Sequence, residues 1–312
     1  GETLLHKEIP AKPEPLLHLI EPYLDDLVIG VECMHCWYWI ADFCEDQGIV
    51  FILGHALYMK AIHGGKTKND RVDSYKIAAL IRGGNFPLAY VYPRSMRATR
   101  DLLRRRTGLV RHGADLKAHV VNTTSQYNLP PNKVNLKNVS AREQLGRTFD
   151  DPLVQRNIDL DMAVLECYHR ELSQEEWLLE KQAKKHQPTY YHLLKTIPGV
   201  GRILALTILY EVGDIRRFES VQKFASYSRL IKCKAESAGK TYGTQGNKIG
   251  NAHLKWAFSE AAVLYLRGNP GAQKLLQRFQ KRMSKAKALS ALAHKLGRAV
   301  YFMLKNEKVF NE

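Results

Sequence analysis

The sequence is short of cysteine, of acid and of long apolar runs, and each shortage excludes something. Only five cysteines occur in 312 residues, at Cys33, Cys36, Cys44, Cys167 and Cys233. An odd, scattered set does not make a disulfide framework, so these read as reduced, structural thiols. Cys33-Met-His-Cys36 has the spacing of half a zinc site, yet no second CxxC or His pair follows at a suitable distance. No apolar run approaches the roughly 18 residues that cross a bilayer. The N-terminus carries no signal-peptide pattern. A soluble, cytoplasmic protein with no membrane partner is therefore expected.

The deficit of acid is the most informative. Asp and Glu number 31 against 47 Lys and Arg, a formal net charge of +16. An excess that large implies a polyanionic partner, of which nucleic acid is the commonest. Hydrophobic residues make up 45% of the chain, enough for an ordinary core in each of two or more domains.

Through residue 93 the pattern alternates between strand and helix. Leu4–Ile9 reads as a short strand and Pro13–Leu24 as a helix with proline near its start. Leu27–Val31 and Ile49–Leu53 are buried strands flanking a helix over Trp37–Gln47 that Gly48 stops. Asp73–Arg82 is helical, and Leu88–Tyr92 an edge strand. Such alternation predicts an α/β sheet domain. Beyond it, Leu102, Leu109 and Leu116 recur every seventh residue, as do Ile158, Leu165, Leu172 and Leu179, with Pro130-Pro131 between the runs. That predicts an antiparallel helical hairpin or coiled-coil arm studded with Arg104 and Arg105. From Tyr190 onward the chain is helical and basic: helices over Ile203–Val212, Phe218–Leu230 and Leu254–Leu266, a Gly/Lys/Asn-rich loop over Ala238–Asn251, and a tail carrying Lys281 and Arg282.

Four features could carry chemistry. Glu32 ends an apolar strand, where a parallel-type sheet places ligand-facing residues. Asp70 and Asp73 share one face of a helix's first turn, which suits either capping and the helix dipole or a pair of oxygen ligands for a hard cation. Ile197-Pro-Gly-Val-Gly201 puts Gly199 and Gly201 where backbone N–H groups could approach a phosphate. Ser237, in a small-residue segment followed by Lys240 and Lys248, could attack phosphorus if nearby cations lower its pKa, although most loop serines only form turns.

Taken in order, Glu32, Lys66–Asp73, Ile197–Gly201, Gly213-Asp-Ile-Arg-Arg-Phe218, Phe224–Tyr227, Glu236-Ser237 and Gly250-Asn251 resemble the DEDD transposases of insertion-sequence family one hundred and ten, which also includes pilin-type invertases. The resemblance implies a fold of α/β plus all-α class. It comprises a RuvC/RNase H-like domain over 1–95, a helical coiled-coil arm over 96–189, and a mainly helical transposase domain with a helix-hairpin-helix-like element over 190–312. It implies Glu32, Asp70 and Asp73 as Mg²⁺ ligands, and Ser237 as the nucleophile of a covalent phosphoserine link to DNA. Gly199, Gly201, Arg104, Arg105, Lys240, Lys248, Lys281 and Arg282 are the expected nucleic-acid contacts. The partners it implies are donor and target DNA, a structured non-coding guide RNA (the bridge RNA), and further copies of the chain in a homodimer or homotetramer that assembles the acids and the serine into one composite site. A prokaryotic, nucleoid-associated location follows.

One departure stands out. The family's first Asp lies on the opening strand of the sheet, and Gly1–Asp25 holds no Asp on such a strand. The resemblance thus implies an N-terminally incomplete domain with three of four carboxylates and impaired catalysis. Two other readings remain open: a RuvC-like metal-dependent, structure-specific nuclease in which Ser237 is merely structural, and a non-catalytic nucleic-acid-binding scaffold.

Overall fold

A computed structural model describes residues 1–62, 69–129, 149–231, 233–245 and 249–311. The chain divides into two compact units, Gly1–Arg94 and Ser95–Glu312.

The first unit grows from two apolar runs. Val28–Glu32 (β1) and Val50–Gly54 (β2) pair in parallel, Val28 opposite Val50 through Glu32 opposite Gly54. Parallel pairing demands a crossover, supplied by Trp37–Gln47 (α2). That helix stops at Gly48, whose φ of 68° suits a residue without Cβ, and the Gly48 and Ile49 amides return to the Cys44 carbonyl. Leu88–Ala89 (β3) adds a short antiparallel edge to β2. The result is a small mixed sheet in the order β1-β2-β3. Phe43, Cys44 and Ile49 close one cluster with Ile20, and Trp37, Ala41 and Leu53 close another. Burial of Cys44 pushes its thiol up to about 11, which keeps it an inert core group.

Around this sheet lie Pro13–Ile20 (α1), Ala56–Ile62 (α3) and Asp70–Arg82 (α4). The predicted helix over Pro13–Leu24 is divided. After Ile20 the chain tightens to a 3₁₀ turn over Glu21–Asp26, because Pro22 lacks an N–H and crowds the preceding turn. Leu4–Ile9 forms no strand: Leu4 and Leu5 are exposed, and a hexapeptide whose middle is His6-Lys7-Glu8 buries too little apolar surface to gain by extending. Gly30 lets α4 approach β1, since a Cβ there would stand 2.3 Å from Ile81 Cδ1.

The second unit opens with two long helices, Arg94–Gln126 (α5) and Pro152–His186 (α6). They run antiparallel. Arg106 meets Glu176 at 2.6 Å, Gly113 faces Leu165, and His119 meets Asp161, so numbers rise on one helix as they fall on the other. The seam lies one position away from the leucine repeat read in α5. Leu103, Thr107, Gly113, Val120 and Thr124 are buried, whereas Leu102, Leu109 and Leu116 flank them half-buried. In α6 the read positions Ile158, Leu165 and Leu179 are fully buried. The distal half closes on its own core of Val120, Phe149, Ile158, Met162 and Leu165. The near ends, through Met96, Leu103, Leu179 and Ala183, belong to the main core. The arm is thus rooted in the second unit and continuous with it.

That main core surrounds one helix. Pro188–Lys195 (α7) and Arg202–Val212 (α8) form a helical hairpin, and every residue of α8 from Leu204 to Val212 is buried. Val221–Tyr227 (α9), Ala252–Tyr265 (α10), Pro270–Gln280 (α11) and Lys285–Asn306 (α12) enclose it. Helix α9 is shorter than the expected Phe218–Leu230, because Ser220 caps it at one end and Arg229, at φ 53°, leaves the helical region at the other. The region read as a loop over Ala238–Asn251 instead contains a strand. Cys233–Ser237 (β4) and Lys240–Gln245 (β5) make an antiparallel hairpin. Thr241, Tyr242 and Thr244 favour extended backbone, and Ala238-Gly239 turn it with φ of 49° and 73°, the two positive values a type I′ turn requires. Among the described residues no helix is long and apolar enough to cross a membrane.

Candidate active site

In the first unit, Glu32 stands half-buried at the C-terminal end of β1. Asn69 caps α4 by accepting from the Arg71 amide at 2.9 Å. Its first turn then carries exposed Asp70 and half-buried Asp73. With Asn69 already serving as cap, neither aspartate is needed for that task. None of the three carboxylates makes an ion pair with a described residue. Their donor chemistry, all hard oxygen, fits a cation such as Mg²⁺. They are not gathered, however: among the described residues no group of three or more His, Cys, Asp or Glu is arranged to hold a metal ion. Lys66, Thr67 and Lys68 of the same motif lie outside the described residues.

In the second unit, the α7–α8 hairpin turns at Thr196–Gly201. The Val200 amide returns to the Ile197 carbonyl at 3.0 Å, and the Thr196 hydroxyl both donates to Leu193 and accepts from the Phe310 amide. Its two glycines differ. Gly199 has φ of 83°, and a Cβ there would stand 2.6 Å from the Leu264 carbonyl carbon and the Tyr265 amide, so packing on α10 requires glycine. Gly201 caps α8 beside open space and is exposed. Gly199→Ala is therefore expected to destabilise the second unit by several kcal/mol, while Gly201→Ala costs little. Paired thermal melts check this, and equal melting temperatures would contradict it.

The β4–β5 hairpin places Ser237 at the last paired position before the turn, opposite Lys240. Both turn residues and Lys240 are exposed. A two-residue turn leaves the serine little backbone freedom, which suits a group that must meet phosphorus in one orientation. A bulge between Ala235 and Glu236, with Gly243 at φ 143°, twists the ribbon behind it. Lys248 lies outside the described residues.

The described residues on either side of this hairpin are tied to α9. On the leaving side, the Leu230 amide donates to Ala225 at 2.9 Å, and Arg229 Nε reaches the Ile249 carbonyl at 3.2 Å. On the returning side, the Asn251 amide donates to Tyr227 at 2.6 Å. Gly250, at φ 100°, leaves no room for a Cβ against the same carbonyl. Beneath them the Arg217 guanidinium lies over the rings of Phe218 and Tyr227, at 4.2 and 4.5 Å, and donates to Val212 at 2.9 Å. The motifs Gly213–Phe218 and Phe224–Tyr227 thus support the residues that flank the hairpin.

Sequence reasoning missed the cluster next to those residues. Glu211, 1% exposed in α8, accepts from Arg100 at 3.0 Å, from Arg104 at 2.6 and 2.9 Å, and from Asn251 Nδ2 at 2.7 Å. Burial alone would raise its pKa. The hydrogen bond from Arg104, both arginine charges and Asn251 outweigh burial and hold it at about 2. Asn251 also caps α10, its Oδ1 accepting from the His253 and Leu254 amides. Burial pushes the neighbouring His253 below its ordinary value, Glu211 opposing and Arg104, Arg100 and Arg111 assisting. The signal for this cluster was a lone acid in the apolar run Ile203–Val212. Arg104, read as a nucleic-acid contact, is committed to Glu211. Arg105, Lys281 and Arg282 are exposed.

The comparisons bear on both units. A transposase model, DEDD_Tnp_IS110, matches residues 1–128. A second model, described as the transposase IS116/IS110/IS902 family, matches residues 191–277. The class these matches support is therefore the transposases. Two relatives narrow it. "Putative transposase y4qE" of Sinorhizobium fredii (strain NBRC 101917 / NGR234) is 26% identical over 208 residues, covering 65% of this chain and 49% of that protein. "Insertion element IS116 uncharacterized 44.8 kDa protein" of Streptomyces clavuligerus is 23% identical over 119 residues, 38% of this chain and 30% of that protein. The chain spans at most about half the length of these relatives. Together, the two models and the relatives support an IS110-family transposase.

Proposed function

We propose that the protein is a DNA transposase that breaks and rejoins strands through a covalent link to Ser237, guided by a structured RNA. The observation that carries this reading is the type I′ turn, which presents the Ser237 backbone at the tip of an exposed hairpin opposite Lys240. The Ser237 oxygen attacks phosphorus, a new P–O bond forms, the bond to the leaving deoxyribose oxygen breaks, and the hydroxyl proton passes to solvent while the leaving oxygen is protonated. One phosphodiester replaces another, so no external energy source is required. Lys240 and the basic surface favour the charge that develops.

To hold a divalent cation, Mg²⁺ by its preference for oxygen, Glu32, Asp70 and Asp73 would have to be drawn together, since the described residues do not gather them. When bound, the cation would polarise a phosphoryl oxygen. The net charge of +16 supplies the attraction for DNA and RNA alike. The test is to incubate the protein with cognate DNA and Mg²⁺, denature it, digest it and find the modified peptide by mass. A nucleotide on Ser237 is expected. Strand cleavage with no nucleotide on any serine would move the reaction to metal-activated water.

We further infer a homodimer or homotetramer joined through the arm. Leu153, Leu160 and Val164 lie on the face of α6 opposite its buried seam, and are 79%, 49% and 40% exposed. Their spacing of seven and four suits a second helical seam. Leu160→Lys with Val164→Lys is expected to lower the mass seen by light scattering to that of one chain. An unchanged mass would remove this face from the assembly.

A further inference from the structure

The polar cluster around Glu211 is placed to do more than neutralise one buried and one half-exposed arginine. Its carboxylate is anchored on the most deeply buried helix of the unit and fixed by Arg100 and Arg104. One further group it holds is the Asn251 amide, at 2.7 Å. Asn251 is the residue through which the hairpin segment returns to the core. Its side-chain oxygen starts α10, its backbone N–H meets Tyr227, and the preceding Gly250 is pressed against that same carbonyl. The departing foot is tied to the returning one by Arg229 and Ile249. A chain of contacts therefore runs from α5 through Glu211 to Asn251 and Tyr227, among the described residues on either side of β4 and β5.

We propose that Glu211 and Asn251 are positioning residues that hold the Ser237 hairpin at a fixed height and angle above the core. The proposal rests on the reading of Ser237 as the nucleophile. An asparagine is suited to this post because it accepts and donates at once: Oδ1 caps the helix while Nδ2 reaches the carboxylate. A serine caps equally well but is too short and lacks the second group. Charged Glu211 is suited because one oxygen accepts from Arg100, Arg104 and Asn251 together, which keeps these contacts in a single geometry.

Asn251→Ser, which keeps the cap and drops the link, is the fold-sparing test in the full-length protein, with Glu211→Gln beside it. For Asn251→Ser, covalent linkage to cognate DNA is expected to slow about 100-fold, the cost of misplacing a reacting group by an ångström. DNA affinity should stay unchanged. Amide hydrogen exchange should quicken in 233–245 while α8 keeps its protection. Glu211→Gln should show the same split with a lowered melting temperature. Wild-type linkage rates and wild-type exchange over 233–245 in Asn251→Ser would overturn the proposal, as would faster exchange spread evenly over the unit. Should the parent protein form no link that depends on Ser237, the nucleophile reading fails. The exchange of 233–245 then decides the positioning role by itself.

Discussion

Ser237→Ala is expected to bind DNA as the parent protein does and to form no covalent link to it. On the proposed reading this removes the oxygen that bonds to phosphorus, a loss on the order of 10⁴- to 10⁶-fold in rate. Affinity should be unaffected, since binding to a polyanion is dominated by cations spread over the surface, and Arg105, Lys281 and Arg282 are untouched. A gel-shift titration and a denaturing assay for protein-linked DNA measure the two quantities on one sample. Strand cleavage at the parental rate would show that water attacks and that the serine only shapes the turn. Loss of DNA binding together with linkage would show that the hairpin is a binding element.

Glu211→Ala should be the most damaging single change to the second unit. It removes a buried carboxylate and leaves Arg100, whose side chain is 11% exposed, without that partner. Breaking a buried ion pair from one side costs roughly 3–5 kcal/mol, a large part of a typical domain's stability of about 5–15 kcal/mol. The pH dependence follows from the depressed pKa. A carboxylate moved from its ordinary 4.5 to about 2 stabilises the fold above pH 4.5, and the contribution fades as pH falls towards 2. The shift corresponds to roughly 3 kcal/mol. Urea midpoints of the parent should therefore drop between pH 4.5 and 2, and those of Glu211→Ala should start lower and drop less. Parallel acid limbs in the two proteins would show that the carboxylate is not held as described.

The elements differ in how far local sequence announces them. Val28–Glu32, Trp37–Gln47 and Val50–Gly54 were legible because their signals are local: an apolar run, a helix-period pattern and a glycine at the turn. The hairpin around Ile197–Gly201 was legible as a motif, but the reason for Gly199 was not. Its constraint is the backbone of Leu264 and Tyr265, more than sixty positions away. The leucine repeat in α5 pointed to the right kind of helix and missed the seam by one position. A repeat fixes the period of a stripe, whereas the partner helix and the core beneath decide which stripe is buried. The β4–β5 hairpin escaped notice because Ala238-Gly239 is a weaker turn signal than Asn-Gly or Asp-Gly, and glycines and lysines around it resemble a loop.

The serine and the carboxylates show the same division within the candidate site. That the chain carries a serine followed by lysines, carboxylate oxygen donors and a strongly basic balance was decided by the sequence alone. These are properties of residue type and total charge, and no fold can alter them. Where the serine stands was decided only by tertiary structure. The residues on either side of its hairpin are fixed by Tyr227, Arg229, Asn251 and Glu211, with arginines from α5 behind them, so residues from Arg100 to Asn251 must meet to set them. Contacts between groups that far apart along the chain leave no local pattern, because the energy that fixes them comes from burial and charge pairing after the core has closed.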